Sequence, residues 1–295
     1  MWRNRKLLTF LLLGVAGLCC LAALASGIWL WPLARSQPRP ENQVLFEGIQ
    51  YQREVRQSPR KMVIHLVSID LRAKGISFLV TPGDPKAELP LKARTTSQFL
   101  EEFRLQLAIN GDGARPWYSN SPLDYYPRSG DPVEPIGLAA SQGIVYSKTT
   151  DNEPVLYLSR TNQAGFNSSP EKIYNAISGN LMLVEKGQVA KPVEEGGTPE
   201  PRTAVGLDRR SRKLILIVVD GRQPGYSEGA TLSELAQIMI QYGAFTAMNL
   251  DGGGSCTLVT TDTTGKPDVL NSPIDNLIPG RERPVGNHLG VFAER

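Results

Sequence analysis

The most constraining feature of this chain is a pair of apolar segments, each of which runs into Asp-Gly. The first, "KLILIVVDGR", covers residues 213–222 and begins as a nearly continuous apolar run. Such a run is typical of a strand that is buried on both faces of a sheet. The second, "AFTAMNLD", covers residues 244–251 and leads into "GGGS". Three successive glycines weaken regular structure, so they indicate a backbone that another group approaches closely.

The segment between these two strands, "TLSELAQIMIQYG", predicts a helix. Thr231 and Glu234 have the spacing of a capping box, and Gly243 stands where a helix C-cap is expected. A strand, a helix and a strand in this order predict a parallel βαβ unit at about residues 213–251.

The earlier part of the chain is predicted to be rich in strands. The segments "GIQYQREV" and "KMVIHLVSIDL" partly alternate apolar and polar residues, as half-buried strands do. We therefore predict an α+β or α/β fold, with a mixed β-sheet core and flanking helices. Residues 35–43 are interpreted as a polar linker, residues 44–100 as a β-rich N-terminal part, and residues 101–295 as the main domain.

The N-terminal residues 1–34 have a different composition from the rest. Arg3, Arg5 and Lys6 precede an uncharged, Leu- and Ala-rich stretch that is long enough to span a bilayer. A signal peptide with "ALA" as its cleavage site is the alternative. Either interpretation predicts an extracytoplasmic domain, on the periplasmic or cell-surface side, which is membrane-anchored if the segment is retained and secreted if it is cleaved.

Charge and cysteine content exclude some classes of protein. The formal net charge is +3, with no basic face that would indicate a nucleic-acid partner. Cys256 is the single cysteine outside the N-terminal segment, so an internal disulfide is not expected. Nothing in the sequence specifies an oligomeric state.

The predicted βαβ unit brings two carboxylates to one edge of a sheet. Asp220 and Asp251 each follow a strand, and ligands of open α/β sheets bind beyond the carboxyl ends of parallel strands. Paired carboxylates at that spacing suit acid, base or nucleophile roles in glycoside hydrolysis. Retaining and inverting chemistry both remain open.

The glycines and nearby arginines indicate an anion site beside these carboxylates. Successive backbone N–H groups form anion-binding concavities, and arginine binds phosphate with two donors. A simple turn with solvated arginines is the alternative. The candidate anion-binding residues are Arg202, Arg222, Gly252, Gly253, Gly254 and Ser255. Further polar candidates for the same edge are Asn110, Asn180 and Glu228.

The joined motifs "PRTAVG", "VVDGR" and "NLDGGGS" resemble those of the phosphodiester glycosidase family. The segments "AING", "AISGN" and "ERPVGNHLGVF" extend the resemblance over roughly residues 100–293. The resemblance implies hydrolysis of the C1–oxygen bond of a sugar-1-phosphodiester, such as a GlcNAc-1-phosphodiester. It implies a site that includes Asn249 with the residues above. Asp251 is then expected to act on the sugar or its attacking water, with Asp220 as the partner acid.

The low cysteine content indicates a bacterial-type member, whose substrate is expected to be a cell-envelope or exopolysaccharide phosphodiester. No cofactor is required by the motifs. A divalent cation, Ca²⁺ or Mg²⁺, is an open possibility, because Asp220, Asp251 and Asn249 offer oxygen ligands. Two other functions also remain open: a metal-dependent phosphodiesterase that cleaves P–O, and a non-catalytic module that binds envelope polysaccharide.

Overall fold

The computed structural model describes residues 35–148 and 153–294, and these residues form a mostly β structure. In chain order, the first strands are β1 (Glu41–Phe46), β2 (Ile49–Arg56), β3 (Met62–Asp70), β4 (Ser77–Val80), β5 (Leu91–Lys92), β6 (Leu107–Asn110), β7 (Ala114–Arg115), β8 (Tyr118–Ser121), β9 (Asp124–Tyr126), β10 (Pro132–Pro135), β11 (Ala139–Ser141) and β12 (Ile144–Ser147).

The remaining strands are β13 (Val155–Leu158), β14 (Ala164–Phe166), β15 (Asn175–Ser178), β16 (Leu181–Glu185), β17 (Gln188–Val189), β18 (Arg202–Leu207), β19 (Lys213–Val219), β20 (Thr246–Asn249), β21 (Leu258–Thr261), β22 (Pro267–Val269) and β23 (His288–Phe292). The two helices of the described residues are α1 (Thr96–Phe103) and α2 (Leu232–Gln241). Short 3-10 turns cover Gly253–Ser255 and Asp275–Leu277.

The largest sheet contradicts the predicted parallel βαβ unit. Its strand order is β1-β2-β3-β19-β18-β20-β16-β17, so β18 lies between the two strands of the supposed unit. Both β19 and β20 pair antiparallel with β18. All named strand pairs in the described residues are antiparallel. The predicted α+β or α/β fold with a mixed sheet is therefore wrong. Strands β19 and β20 still run in the same direction, because both pair antiparallel with β18.

The apolar run of β19 is buried on both faces, but by a different arrangement from the one predicted. Leu214, Leu216 and Val218 face the second sheet of the molecule. Ile215 and Ile217 face the opposite side, where α2 covers the sheet. An antiparallel strand can therefore also have a continuous apolar sequence, provided that a helix buries one of its faces and a second sheet buries the other.

The second sheet has the order β22-β21-β6-β23-β4 and packs against the large sheet. Helix α1 covers its outer face through Phe99 and Leu100, which contact Leu105, Ala108 and Val259. The layers are therefore α2, the large sheet, the second sheet and α1. A further five-stranded sheet, a three-stranded sheet and the β8–β9 hairpin surround these layers in the described part of the chain.

The predicted membrane segment must be corrected. Residues 1–34 lie outside the described residues. Within residues 35–148 and 153–294, no helix combines the length and the apolar character needed to cross a membrane. The transmembrane and signal-anchor interpretation, and the membrane-anchored extracytoplasmic location derived from it, are therefore not supported and are not retained. The segment interpreted as a linker overlaps the start of β1, at Glu41.

The capping box of α2 gives a prediction for stability. The Thr231 Oγ1 atom accepts a hydrogen bond from the Glu234 N–H at 3.1 Å, and the Glu234 carboxylate accepts one from the Thr231 N–H at 2.9 Å. We expect Thr231→Ala to lower the free energy of unfolding by about 1 kcal/mol, because the helix loses its N-cap acceptor. Urea unfolding measures this, with Thr231→Ser as the matched control that keeps the acceptor. Equal losses in both variants would contradict the capping role.

Candidate active site

A cleft of about 570 Å³ opens where β18 and β20 meet the loops that follow them. Six of the residues predicted from the sequence line it: Asn180, Arg202, Arg222, Asp251, Gly252 and Gly253. Seven further residues also line it, among them the ring of Trp117 and three charged side chains that were not predicted: Arg115, Glu200 and Arg283. The cleft therefore combines one of the two predicted carboxylates with four arginines, and three of these, Arg202, Arg222 and Arg283, lie near the glycine loop.

Two of the three glycines have a clear structural reason, because Gly253 and Gly254 each lie against a different arginine. A Cβ atom on Gly253 would lie 3.2 Å from Nη1 of Arg222. A Cβ atom on Gly254 would lie 2.5 Å from Nη2 of Arg283, and one on Gly252 would lie 4.0 Å from Nη1 of Arg202. Gly253 also has φ +64°, a backbone conformation that glycine adopts without strain. Guanidinium groups therefore approach the backbone at Gly253 and Gly254, whereas the nearest atom to a Cβ on Gly252 would be the Pro201 carbonyl oxygen at 3.1 Å.

Backbone and carboxylate groups fix the orientation of Arg202 and Arg222. Arg202 donates through Nε to the Ala230 carbonyl at 3.0 Å and through Nη2 to the Thr198 carbonyl at 3.3 Å. Arg222 forms an ion pair with Glu200. Burial lowers the pKa of Arg202 from its ordinary value, but a guanidinium group remains charged at neutral pH.

Arg283 is held by a buried carboxylate and an aromatic ring. Its Nε atom donates to Oδ1 of Asp275 at 2.7 Å, and its guanidinium carbon lies 5.2 Å from the ring centre of Trp117. Its Nη1 atom is 3.4 Å from the Ser255 hydroxyl oxygen. Ser255 itself is buried below the glycine loop. Arg283 lies in the segment "ERPVGNHLGVF" that extends the family resemblance, but it was not chosen as a site residue because Asp275 and Trp117 are brought to it by the tertiary fold.

Asp251 is held at the floor of the cleft by its main chain and by the loop. Its N–H donates to the Gly111 carbonyl at 3.0 Å, and its carboxylate accepts from the Gly252 N–H at 2.9 Å. Burial raises the pKa of Asp251 above its ordinary value, while Ser255, Arg283 and the Gly252 N–H oppose that rise. Asp251 is therefore a stronger base than a fully solvated carboxylate.

The predicted asparagines divide into one at the cleft and two behind it. Asn180 is exposed and lines the cleft. Asn249 is buried and donates to Oδ1 of Asn180 at 2.8 Å, so it orients that side chain. Asn110 is buried and donates to the main-chain carbonyl of Asp251 at 2.8 Å. These two buried asparagines position cleft residues and do not line the cleft.

Asp220 is not brought to the cleft. Its side chain is buried, and its carboxylate accepts hydrogen bonds from Tyr226 (3.0 Å), Asn271 (3.0 Å) and the Ser272 N–H (2.8 Å). Nε2 of His65 lies 3.0 Å from Oδ2. Burial alone would raise the pKa of Asp220, but His65 and these donors outweigh burial and hold the pKa below its ordinary value.

Two other predictions are affected by these positions. Glu228 is exposed and is not among the residues that line the cleft. The possible Ca²⁺ or Mg²⁺ ligands Asp220, Asp251 and Asn249 are not assembled, because the Asp220 carboxylate is occupied by protein donors away from the cleft. Within the described residues, no group of three or more His, Cys, Asp or Glu side chains is arranged to hold a metal ion.

A smaller chamber of about 180 Å³ adjoins the cleft and shares Asn180 and Asp251 with it. Its polar lining also includes Asp112, Glu153 and Ser178. Asp112 was missed by the sequence analysis, although "NGDG" places it in the same Asp-Gly pattern as Asp220 and Asp251. Asp251 therefore shares the lining of this chamber with two other acidic residues, Asp112 and Glu153.

A cleft that joins a carboxylate to several fixed arginines defines a site for a phosphorylated or otherwise anionic ligand. Comparison with known proteins agrees: the phosphodiester glycosidase family matches residues 103–292, and the chain belongs to this family of hydrolases. The earlier recognition of the family from its motifs is confirmed.

Individual relatives show how far the similarity extends. The chain is 44% identical over 62 residues to N-acetylglucosamine-1-phosphodiester alpha-N-acetylglucosaminidase of Bos taurus, and 40% identical over 62 residues to that of Homo sapiens. These matches cover 21% of this chain and only 11% and 12% of the two relatives.

Two solved structures share the fold. A hypothetical protein from Synechocystis has a TM-score of 0.63 at 18% identity and covers 87% of this chain and 64% of its own. The catalytic domain of the zebrafish N-acetylglucosamine-1-phosphodiester alpha-N-acetylglucosaminidase has a TM-score of 0.59 at 21% identity, with coverage of 89% and 86%.

The different surroundings of Asp220 and Asp251 predict opposite effects on stability. Asp220→Asn should lower the free energy of unfolding at pH 7 by about 3–5 kcal/mol, because an amide N–H₂ would face buried donors. Asp251→Asn should leave stability unchanged or slightly higher, because burial disfavours its charge. Urea unfolding of both variants at pH 7 tests this difference.

The pH dependence provides a second check on Asp220. Since its folded pKa is lowered, its charge stabilises the fold above the unfolded pKa of about 3.9, and this stabilisation is lost as the pH falls through the folded pKa. The deficit of Asp220→Asn should therefore shrink in acid. A deficit that is independent of pH, or equal losses in Asp220→Asn and Asp251→Asn, would contradict the assignment.

The glycine–arginine contacts predict an effect on anion binding. Gly254→Ala should displace Arg283 and weaken the binding of inorganic phosphate about tenfold or more, because a charge-assisted hydrogen bond contributes about 1.5–3 kcal/mol. Titration calorimetry measures the affinity. Gly165→Ala is the matched control, since no atom lies within 4 Å of its new Cβ. The same affinity in both variants would contradict the role of Gly254.

Proposed function

We propose that this chain hydrolyses the glycosidic bond of a sugar-1-phosphodiester, with the phosphodiester on the arginines and the sugar C1 beside Asp251. The observation that carries this proposal is the convergence of Arg202, Arg222 and Arg283 on the loop that follows Asp251. Membership of the phosphodiester glycosidase family supports the same reaction. Gly253 and Gly254 leave room for the guanidinium groups of Arg222 and Arg283, which a tight turn alone would not require.

The arginines match the charge that develops during this reaction. When the C1–oxygen bond breaks, the electron pair stays with the phosphate, which departs as a monoester anion. Fixed guanidinium groups stabilise that anion without reorganising, and the departing phosphate needs little help from a general acid. The ion pair with Glu200 and the carbonyl contacts of Arg202 hold the donors in place before the substrate binds.

Asp251 is proposed to act on the sugar side of the same bond. Its carboxylate can stabilise the cationic character that develops at C1, or take the proton of the water whose oxygen bonds to C1. In the second case the water oxygen becomes the C1 hydroxyl and its proton passes to Asp251. The raised pKa of Asp251 favours this proton transfer relative to an ordinary carboxylate.

The relatives suggest the finer identity of the substrate. The matched proteins of Bos taurus and Homo sapiens are N-acetylglucosamine-1-phosphodiester alpha-N-acetylglucosaminidases, and we propose a GlcNAc-1-phosphodiester for this chain. On the far side of the phosphate we propose a second saccharide, as in a bacterial envelope or exopolysaccharide phosphodiester. Trp117 supports this, because its half-exposed ring lines the cleft and an aromatic ring offers an apolar surface on which a sugar can stack.

The decisive experiment is hydrolysis of a GlcNAc-1-phosphodiester by the full chain in H₂¹⁸O. We expect release of free GlcNAc with the label on its C1 hydroxyl. Asp251→Asn should lower kcat by about a hundredfold or more, because one positioned acid–base group contributes about 10²–10⁴ in rate. Asp268→Asn, an exposed carboxylate on β22, is the matched control and should retain the wild-type rate.

The alternatives give different results in the same assay. Label in the phosphate, with activity abolished by chelation, would indicate a P–O phosphodiesterase that uses a metal ion. Binding of the phosphodiester without release of sugar, unchanged by Asp251→Asn, would indicate a non-catalytic binding module. Either result would overturn the proposed glycosidase reaction.

A further inference from the structure

The chamber beside the cleft places Asp251 between two different environments. Asp251 lines both the arginine-lined cleft and the chamber that Asp112, Glu153 and Ser178 line. Its volume of about 180 Å³ corresponds to roughly six waters at about 30 Å³ each. A space of this size suits one sugar ring with its hydroxyl groups, whereas an oligosaccharide would not fit.

Asp112 is fixed next to Asp251 by the main chain. It follows Asn110 and Gly111, and both of these residues hydrogen-bond the backbone of Asp251: the Asn110 amide donates to its carbonyl, and the Gly111 carbonyl accepts from its N–H. Both Asp112 and Asp251 therefore line the same chamber. Asp112 and Asp251 are far apart in sequence, but the loops that carry them are joined by these two hydrogen bonds.

The Asp112 side chain lacks partners although it is only 4% exposed. Neither of its carboxyl oxygens has a hydrogen bond at acceptable geometry within residues 35–148 and 153–294. The amide of Asn287 faces it, but Nδ2 of Asn287 is also left without a partner among these residues. Buried polar groups are almost always hydrogen-bonded, so two orphaned oxygens in a polar chamber indicate a ligand that supplies the partners.

The charge state of Asp112 indicates the chemistry of that ligand. Burial raises the pKa of Asp112 to about 8, with Asn287 opposing the rise and the negative charges of Asp251 and Glu153 adding to it. The other titratable group that it affects is Tyr146, whose pKa burial raises and Asp112 raises further. At neutral pH Asp112 is therefore a neutral carboxyl group, which both donates and accepts a hydrogen bond. Such a group suits sugar hydroxyls better than a cation.

We propose that the chamber is the subsite for the sugar ring of the substrate, and that Asp112 determines sugar specificity by hydrogen-bonding a ring hydroxyl. This inference rests on the proposed function. It places the phosphate on the arginine side of Asp251 and the sugar on the Asp112 side, with C1 between them.

Deoxy substrates test the hydrogen bond directly. We expect one of the 3-, 4- and 6-deoxy GlcNAc-1-phosphodiesters to lose about tenfold in kcat/KM with the wild-type chain. The same analogue should lose little with Asp112→Ala, because the partner is already absent. Equal losses in the wild type and in Asp112→Ala for every analogue would overturn the proposal.

The pH profile separates this role from a structural one. Wild-type kcat/KM should fall as the pH rises through about 8, because ionised Asp112 no longer donates and puts a second negative charge beside Asp251. Asp112→Asn has a neutral side chain that does not ionise, so the fall in kcat/KM above about pH 8 should be absent in this variant whatever its absolute rate. An alkaline limb that is unchanged in Asp112→Asn would contradict the role of Asp112.

Failure of the proposed function would give a different pattern. If the wild type hydrolyses no sugar-1-phosphodiester, the glycosidase reaction is wrong, and the subsite is tested by titrating free GlcNAc into the wild type and Asp112→Asn below and above pH 8. Binding that weakens above pH 8 in the wild type alone would support the subsite. No binding, or the same pH dependence in both proteins, would overturn it.

Discussion

The side chain of Asn110 joins the two main sheets at the cleft, and the geometry of the site depends on it. Its amide donates to the main-chain carbonyl of Asp251, at the end of the large sheet. Its Oδ1 atom accepts from the Thr203 hydroxyl at 2.9 Å and from the Thr257 N–H at 3.2 Å. One buried side chain thus links β6 of the second sheet to β18 of the large sheet and to Thr257, which precedes β21. A buried amide that loses one such partner is left unsatisfied at a cost of about 1–3 kcal/mol. The position of Asp251 is set by the contact between sheets.

The glycine loop converts that fixed position into a charged cleft. Three arginines carry like charges, and they stay close to one another only because each has its own holding group: Glu200 for Arg222, Asp275 for Arg283 and main-chain carbonyls for Arg202. The missing side chains of the glycines let these groups approach the backbone next to Asp251. The cleft is therefore prepared for an anion by contacts made in the folded chain, as electrostatic preorganisation requires.

Much of this site could be predicted from local sequence, and the rest could not, for physical reasons. Asp251, the glycines, Arg202 and Arg222 lie within or beside predicted strand ends, so a local pattern locates them. Arg283 depends on Asp275 and Trp117, which only the tertiary fold brings together. The parallel βαβ prediction failed because an apolar run shows only that both faces of a strand are buried. It does not show which elements bury those faces, or whether the neighbouring strands are parallel or antiparallel. The helices and strands themselves, such as α2 and β19, appear close to where the periodicity predicts them.

Three Asp-Gly strand ends show why residue type alone does not assign a role. Asp220 precedes a glycine just as Asp251 does, yet four surrounding polar groups hold Asp220 as a buried anion that fixes the loop around Tyr226 and Ser272. Asp251 meets a loop N–H and an arginine, and it lines a cleft. Asp112 meets no partner and is the one whose charge is most strongly disfavoured. An aspartate side chain can therefore be a structural anion, a proposed reactive base or a proposed neutral donor, depending on the polar groups around it. The strand order determines which polar groups those are.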